Sequence, residues 1–138
     1  MKLNTNFKFW NNAIGALVFV ASAVIYLSTL EPTVSFWDCG EFLSCDAKLE
    51  IAHPSGAPLV MIIRHVVSLL GGSSSSHVTL LINGSSAIAS ALTIMFLFWT
   101  ITWFGRKLLS STWQQSDRQK IIIIAAGVIG AMSYAVSD

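Results

Sequence analysis

Charge is what this sequence lacks most. Only 11% of its 138 residues are Asp, Glu, Lys or Arg, against about a quarter in an ordinary water-soluble domain. That scarcity excludes a mostly solvated surface. The net charge is +1, and the eight basic residues are scattered along the chain, so no basic patch exists that could grip nucleic acid. Cysteine is nearly absent: there are two, Cys39 and Cys45, which excludes a disulfide-stapled secreted scaffold. Six positions apart, they point to different faces of a helix, and a bridge between them needs irregular backbone. Free thiols are the expectation. No strong metal-ligand motif occurs either, and neither a metal nor a cofactor is expected.

What the chain does have is hydrophobicity, 54% of all residues and a mean hydropathy of +0.66. Ala13 to Leu30 carries no charge, and Phe9 and Trp10 extend its apolar character backwards. That gives a first transmembrane helix over 9–30, near the roughly 20 residues a span needs, which Glu31-Pro32 ends because proline disfavours helix at the residue before it. Lys2 and Lys8 make a basic start like that of a signal peptide. The run is longer than a signal's apolar segment, however, and no A-x-A cleavage site follows. An uncleaved span is therefore expected.

A second uncharged run, 78–104, ends in Phe96, Phe98, Trp99, Trp103 and Phe104 ahead of Arg106-Lys107. Such aromatics suit a belt at the membrane–water interface. Gly84, Ser85, Ser86 and Ala87 would let another helix approach closely. A third run begins at Ile121 and meets the end of the sequence at Asp138 before a span is complete. The fold expected is all-α and integral to the membrane, with three transmembrane helices (9–30, 78–104 and a truncated 121–138). So thin a bundle encloses little, and the chain reads as part of a longer one.

Orientation follows from the basic residues. Lys2 and Lys8 precede the first span, while Arg106, Lys107, Arg118 and Lys120 lie in or beside the connection 105–120. Both regions fall on one side, the cytoplasmic one by the positive-inside rule, so the N-terminus is cytoplasmic. The loop 31–77 is then external, with Glu31, Asp38, Glu41, Asp46 and Glu50 set against Lys48 and Arg64. Inside it, Pro58 to Leu70 is apolar but too short to cross a bilayer. Arg64, His65 and Ser68 gather on one side of a helix there, a pattern suited to a helix lying in the interface. Pro58 fits that helix's first turn, Gly56 permits the turn before it, and 71–77, "GGSSSSH", reads as a flexible linker.

The acidic residues cluster in "TVSFWDCGEFLSCDAKLEIAHPSGAP", 33–58. With 36–49 helical, Asp38 and Glu41 share a face beside Trp37. A carboxylate at an aromatic membrane surface is partly desolvated and becomes a better base. Spacing alone equally allows Asp38 to cap the helix and Glu41 to support its first turn. His53 could contact a phosphate, share in proton transfer or ligate a metal with the carboxylates, or simply be set by its Pro-Gly turn. Arg64 and His65 are candidates for a lipid phosphate; alternatively they snorkel to the interface.

Taken together, Thr33 to Pro58 and the apolar segment after it resemble the transmembrane protein 260-type family of protein O-mannosyltransferases. The shared pattern is a T-x-S-x-W-D-x-G-E-F core followed by H-P-x-G-x-P, and "LLINGSSAIASALT" is similar to a later family helix. The resemblance implies the N-terminal part of a GT-C-like multi-span bundle, whose external loop 31–77 carries short interfacial helices. It implies a transferase that moves a sugar, mannose by the family's name, from a polyprenyl-phosphate carrier to Ser or Thr of an acceptor protein on the non-cytoplasmic side. Asp38 would be the base, with Glu41 its neighbour or substitute, and His53, Arg64 and His65 would bind the carrier phosphate. The membrane would be a bacterial inner membrane, or else that of the endoplasmic reticulum. The family's enzymes have many more spans, so these residues alone are expected to be inactive. The rival reading is a non-catalytic membrane subunit that binds a polyprenyl-phosphate carrier or scaffolds another transferase.

Overall fold

A computed structural model describes residues 5–34, 37–51, 58–109 and 116–137. The described residues are helical and contain no strand: α1 (Thr5–Ser28), α2 (Cys39–Lys48), α3 (Pro58–Ser68), a 3₁₀ turn (Leu69–Gly71), α4 (Ser75–Leu109) and α5 (Asp117–Ala135). Two of these helices, over Asn6–Ser28 and Ser75–Leu109, are long and apolar enough to cross a membrane. That is the pattern of a membrane protein. Helix α4 takes in Ser75, Ser76 and His77, which the sequence reads as linker. Its 35 residues make about 50 Å of helix at 1.5 Å per residue, well beyond the roughly 30 Å of a hydrocarbon core. In α5 the first turn is polar, Asp117 to Lys120, and the apolar stretch starts only at Ile121.

The chain forms two compact units, one of residues 1–26 and 90–138, the other of 27–89. In the first, Val18 of α1, Ile94 and Phe98 of α4, and Ala131 and Ala135 of α5 make a buried cluster, with Ile14, Trp99 and Met132 packed against it. Small residues bring the helices close. A methyl group on Gly127 would lie 2.7 Å from Thr102 Cγ2 and 3.0 Å from the Phe98 ring. Phe98 is completely buried and Trp99 half-buried, its Nε1 donating to the Asn11 carbonyl at 3.4 Å. These two are core side chains, because the face of α4 that bears them meets α1 and α5. The outward face leaves Phe96, Trp103 and Phe104 exposed, where a belt could form. Helix α5 starts at a capping box: Ser116 accepts from Gln119 N, and the Gln119 side chain accepts from Ser116 N. This satisfies two amides that the helix itself cannot.

The second unit holds α2, α3 and the first half of α4. Helix α3 opens at Pro58, whose missing N–H costs nothing in a first turn. Leu59, Val60, Ile62, Ile63 and Val66 are exposed, while Met61 and the polar Ser68 are buried. Met61 packs with Cys45 and Phe42 of α2. Gly84, by contrast, faces open space within 4 Å of where a side chain would stand, so the close approach expected there is not made by that residue.

Candidate active site

Helix α2 is ten residues long, too short to persist alone in water, and what surrounds it sets its direction. Trp37 enters with φ 64°, a left-handed conformation that a bulky side chain adopts at a cost of about 1–3 kcal/mol. Asp38 follows at the N-cap position, its carbonyl accepting from Phe42 N at 3.0 Å. Its side chain makes no capping hydrogen bond. Both Asp38 and Glu41 are exposed, as is Trp37 between them and the preceding chain. At the far end, Leu49 takes φ 56° and closes the helix with its N–H on the Cys45 carbonyl, a left-handed C-terminal cap. Gly40 leaves room for Val34, which a methyl group there would meet at 3.4 Å.

The third acidic residue of the motif is different. Asp46 has no exposed surface at all. Arg64 of α3 meets it, Nη1 to Oδ2 at 3.2 Å, and the same guanidinium donates from Nη2 to Ser86 Oγ of α4 at 2.6 Å. Ser86 Oγ in turn donates to the Ile82 carbonyl at 3.2 Å. His65 Nδ1 lies 2.9 Å from the Asp46 main-chain carbonyl, and Ser68 Oγ donates to the His65 carbonyl at 2.7 Å. One planar fork therefore ties three helices together, in a fixed geometry that a lysine's rotatable ammonium would not impose. Burial pushes the Asp46 carboxyl above the ordinary carboxylate range, and the neighbouring Arg64 charge offsets that only in part. Asp46 Oδ1 is buried without a hydrogen-bond partner. The carboxylate is thus strongly held on one oxygen and reachable by no substrate.

Nearby, Asn83 of α4 donates from Nδ2 to the carbonyls of Glu31 at 3.0 Å and Thr33 at 3.3 Å, and Thr33 Oγ1 donates to Glu31 Oε1 at 3.0 Å. This clasps the chain that leads from α1 into the acidic motif. Cys39 and Cys45 are free thiols. Burial pushes the Cys45 thiol up, with the negative fields of Glu41, Glu50 and Asp46 acting in the same direction, so it is a packing residue and not a reactive one.

Of the residues the sequence singles out, Asp38 and Glu41 stand together at the exposed start of α2. Arg64 and His65 lie on the inner side of α3, engaged with Asp46. With Nδ1–H given to a carbonyl, a neutral His65 ring has only an acceptor at Nε2, so it would donate to a phosphate only as imidazolium. His53 lies outside the described residues. Among the described residues no group of three or more His, Cys, Asp or Glu could hold a metal ion. Sequence reasoning counted Asp46 among the acids but missed its pairing, and missed Ser86 and Asn83 as polar anchors. A hint existed: an acid and an arginine, each among apolar neighbours 18 positions apart, are costly to bury except as a pair.

A family model, the N-terminal domain of the protein O-mannosyl-transferase TMEM260, matches residues 38–138. A protein O-mannosyl-transferase tmem260 of Dictyostelium discoideum is 28% identical over 85 residues, covering 62% of this chain and 10% of the relative. The chain thus spans about a tenth of that relative's length. No solved structure matches it.

Proposed function

Given that the chain belongs to the TMEM260-type protein O-mannosyl-transferase family, we propose that it is the N-terminal part of a membrane glycosyltransferase of the GT-C class. The enzyme moves mannose from a polyprenyl-phosphate carrier to a Ser or Thr of an acceptor protein on the non-cytoplasmic side. Helices α1 and α4 are the first two spans and α5 begins the third. The basic residues at 106, 107, 118 and 120 hold their side of the bundle in the cytoplasm, in a bacterial inner membrane or in the endoplasmic reticulum. The region 31–77 is external, with α3 in the interface.

The observation that carries this reading is the state of Asp38. It occupies an N-cap position yet makes no capping hydrogen bond, and it is exposed. Its carboxylate therefore stands at the exposed start of α2, where an acceptor hydroxyl can approach it. In the proposed reaction the acceptor hydroxyl oxygen attacks the anomeric carbon as the bond from that carbon to the carrier phosphate breaks. Asp38 takes the hydroxyl proton and the phosphate departs with the electron pair. Glu41, one turn on, supports or replaces it. A phosphate leaving group needs no acid to protonate it, unlike the leaving oxygen in glycoside hydrolysis, so a single base suffices. Cationic donors stabilise the phosphate charge as it develops; His53 is assigned that role, since Arg64 and His65 are engaged with Asp46.

The test is transfer by the full-length protein that carries this chain, given polyprenyl-phosphate mannose and a Ser/Thr-rich acceptor and followed by mass. Transfer that falls by a factor of about 100 or more in Asp38→Asn supports the reading. A parent that binds the carrier without transferring sugar supports the rival reading of a carrier-binding subunit.

A further inference from the structure

We infer that the Asp46–Arg64–Ser86 bridge is a positioning device, fixing the direction of α2 so that Asp38 and Glu41 are presented at one place relative to α4. The inference rests on the transferase reading above. It starts from how the last turn of α2 is held. The helix has ten residues, and its apolar contacts are few: Leu43 and Cys45 are its buried hydrophobic side chains, with Phe42 partly buried. Its one completely buried side chain is Asp46, in the last turn, and that carboxylate faces Arg64 from α3, which in turn reaches Ser86 of α4. His65 holds the same point through the Asp46 carbonyl. The bridge thus fixes α2 at its C-terminal end, and the candidate base sits at the other.

Charge makes this arrangement directional in a way an apolar contact is not. An apolar pair tolerates rotation, whereas a guanidinium donates to a carboxylate and a hydroxyl oxygen only in its own plane and along its N–H directions. A buried pair adds little net stability over an apolar pair of the same shape. Its more attested use is to select one geometry among several. From Asp46 back to Asp38 is eight residues, about 12 Å of helix. A tilt of about 5° at the anchor shifts Asp38 by about 1 Å, and a displacement of that size can lower a rate on the order of a hundredfold. Asp46 and Arg64 touch no reacting atom; they act through Asp38.

The experiment compares Asp46→Asn, Arg64→Lys and Ser86→Ala in the full-length protein, with kcat and KM for polyprenyl-phosphate mannose measured per folded molecule. Arg64→Lys keeps the charge that neutralises Asp46 but gives up the rigid planar fork that spans Asp46 and Ser86. The expected result is a kcat lower by roughly 10- to 100-fold for Asp46→Asn and Arg64→Lys. Ser86→Ala falls less, and the donor KM and the pH at which the base titrates stay where they are in the parent. Hydrogen exchange gives a readout independent of transfer: amides of Cys39–Lys48 should exchange faster in Asp46→Asn while those of α5 do not. The inference is overturned if folded Asp46→Asn and Arg64→Lys keep the parental kcat, or if α2 exchange is unchanged. If the parent itself transfers nothing, or Asp38→Asn transfers normally, the transferase reading fails; the exchange result then still decides whether the bridge orients α2.

Discussion

Arg64 of α3 meets Asp46 of α2 at 3.2 Å, with Asp46 wholly buried and the Arg64 side chain 27% exposed. The asymmetry has a consequence for stability. Losing Arg64 strands a buried carboxylate, while losing both charges does not. Arg64→Ala is expected to destabilise the folded protein by about 2–3 kcal/mol, less than a fully buried pair because Arg64 is partly screened by solvent. The double variant Asp46→Ala/Arg64→Ala should be more stable than Arg64→Ala alone. Thermal unfolding in detergent, read as a double-mutant cycle, checks the sign; additive losses would contradict it.

The same carboxylate sets a pH dependence. Its folded-state pKa is raised by burial, with Arg64 opposing. A raised pKa means the folded state holds the proton more tightly than the unfolded chain, whose value is about 3.9. Its contribution to stability is then fully present below that value and lost as pH rises through the folded pKa. Unfolding midpoints measured from about pH 4 upward should fall more in the parent than in Asp46→Asn, which cannot titrate. Arg64→Ala, lacking the opposing charge, should extend the decline to higher pH.

In the other unit, Gly127→Ala tests the close packing of α5 on α4. The added methyl group would meet Thr102 Cγ2 at 2.7 Å and the Phe98 ring at 3.0 Å. Both neighbours are buried, so neither can swing away freely. A loss of about 1–3 kcal/mol is expected from overpacking, again by thermal unfolding. Gly84→Ala, where nothing lies within 4 Å, should be neutral or slightly stabilising, since alanine is the better helix former.

The exposed side of α3 should face lipid. Nitroxide labels at Ile62 and Val66, both more than half exposed, are expected to be accessible to membrane-dissolved oxygen when the full-length protein is reconstituted. A label at Met61, which is buried, should not be. Equal accessibility of 62 and 66 to a water-soluble nickel relaxer would place α3 in water instead.

Much of this architecture is legible in the sequence, for identifiable reasons. Long uncharged runs over 13–30 and 78–104 have few alternatives to helix, and Pro58 marks the start of α3 because it can stand only at such a place. The polar side of α3 is equally legible, since Arg64, His65 and Ser68 recur at helical spacing. Partnership is not. Nothing local tells that Arg64 turns inward to Asp46 and Ser86, because ion pairs between helices depend on how those helices pack. Phe98 and Trp99 look like interfacial aromatics by position, but Gly127 and Ala131 on α5 make a groove for that face of α4. The left-handed Trp37 is hidden for the same kind of reason: the residue type argues against it, and the surrounding structure imposes it.

The role of Asp38 is tested most directly by pairing two measurements on one variant. Full-length Asp38→Asn would be assayed for binding of polyprenyl-phosphate mannose and for single-turnover transfer to a Ser/Thr-rich acceptor, with its unfolding midpoint as a control. Parental binding and a parental midpoint are expected, because Asn keeps the shape of this exposed side chain, together with transfer slower by a factor of about 100 or more. Transfer at the parental rate by the folded variant would contradict it and assign the proton to another group.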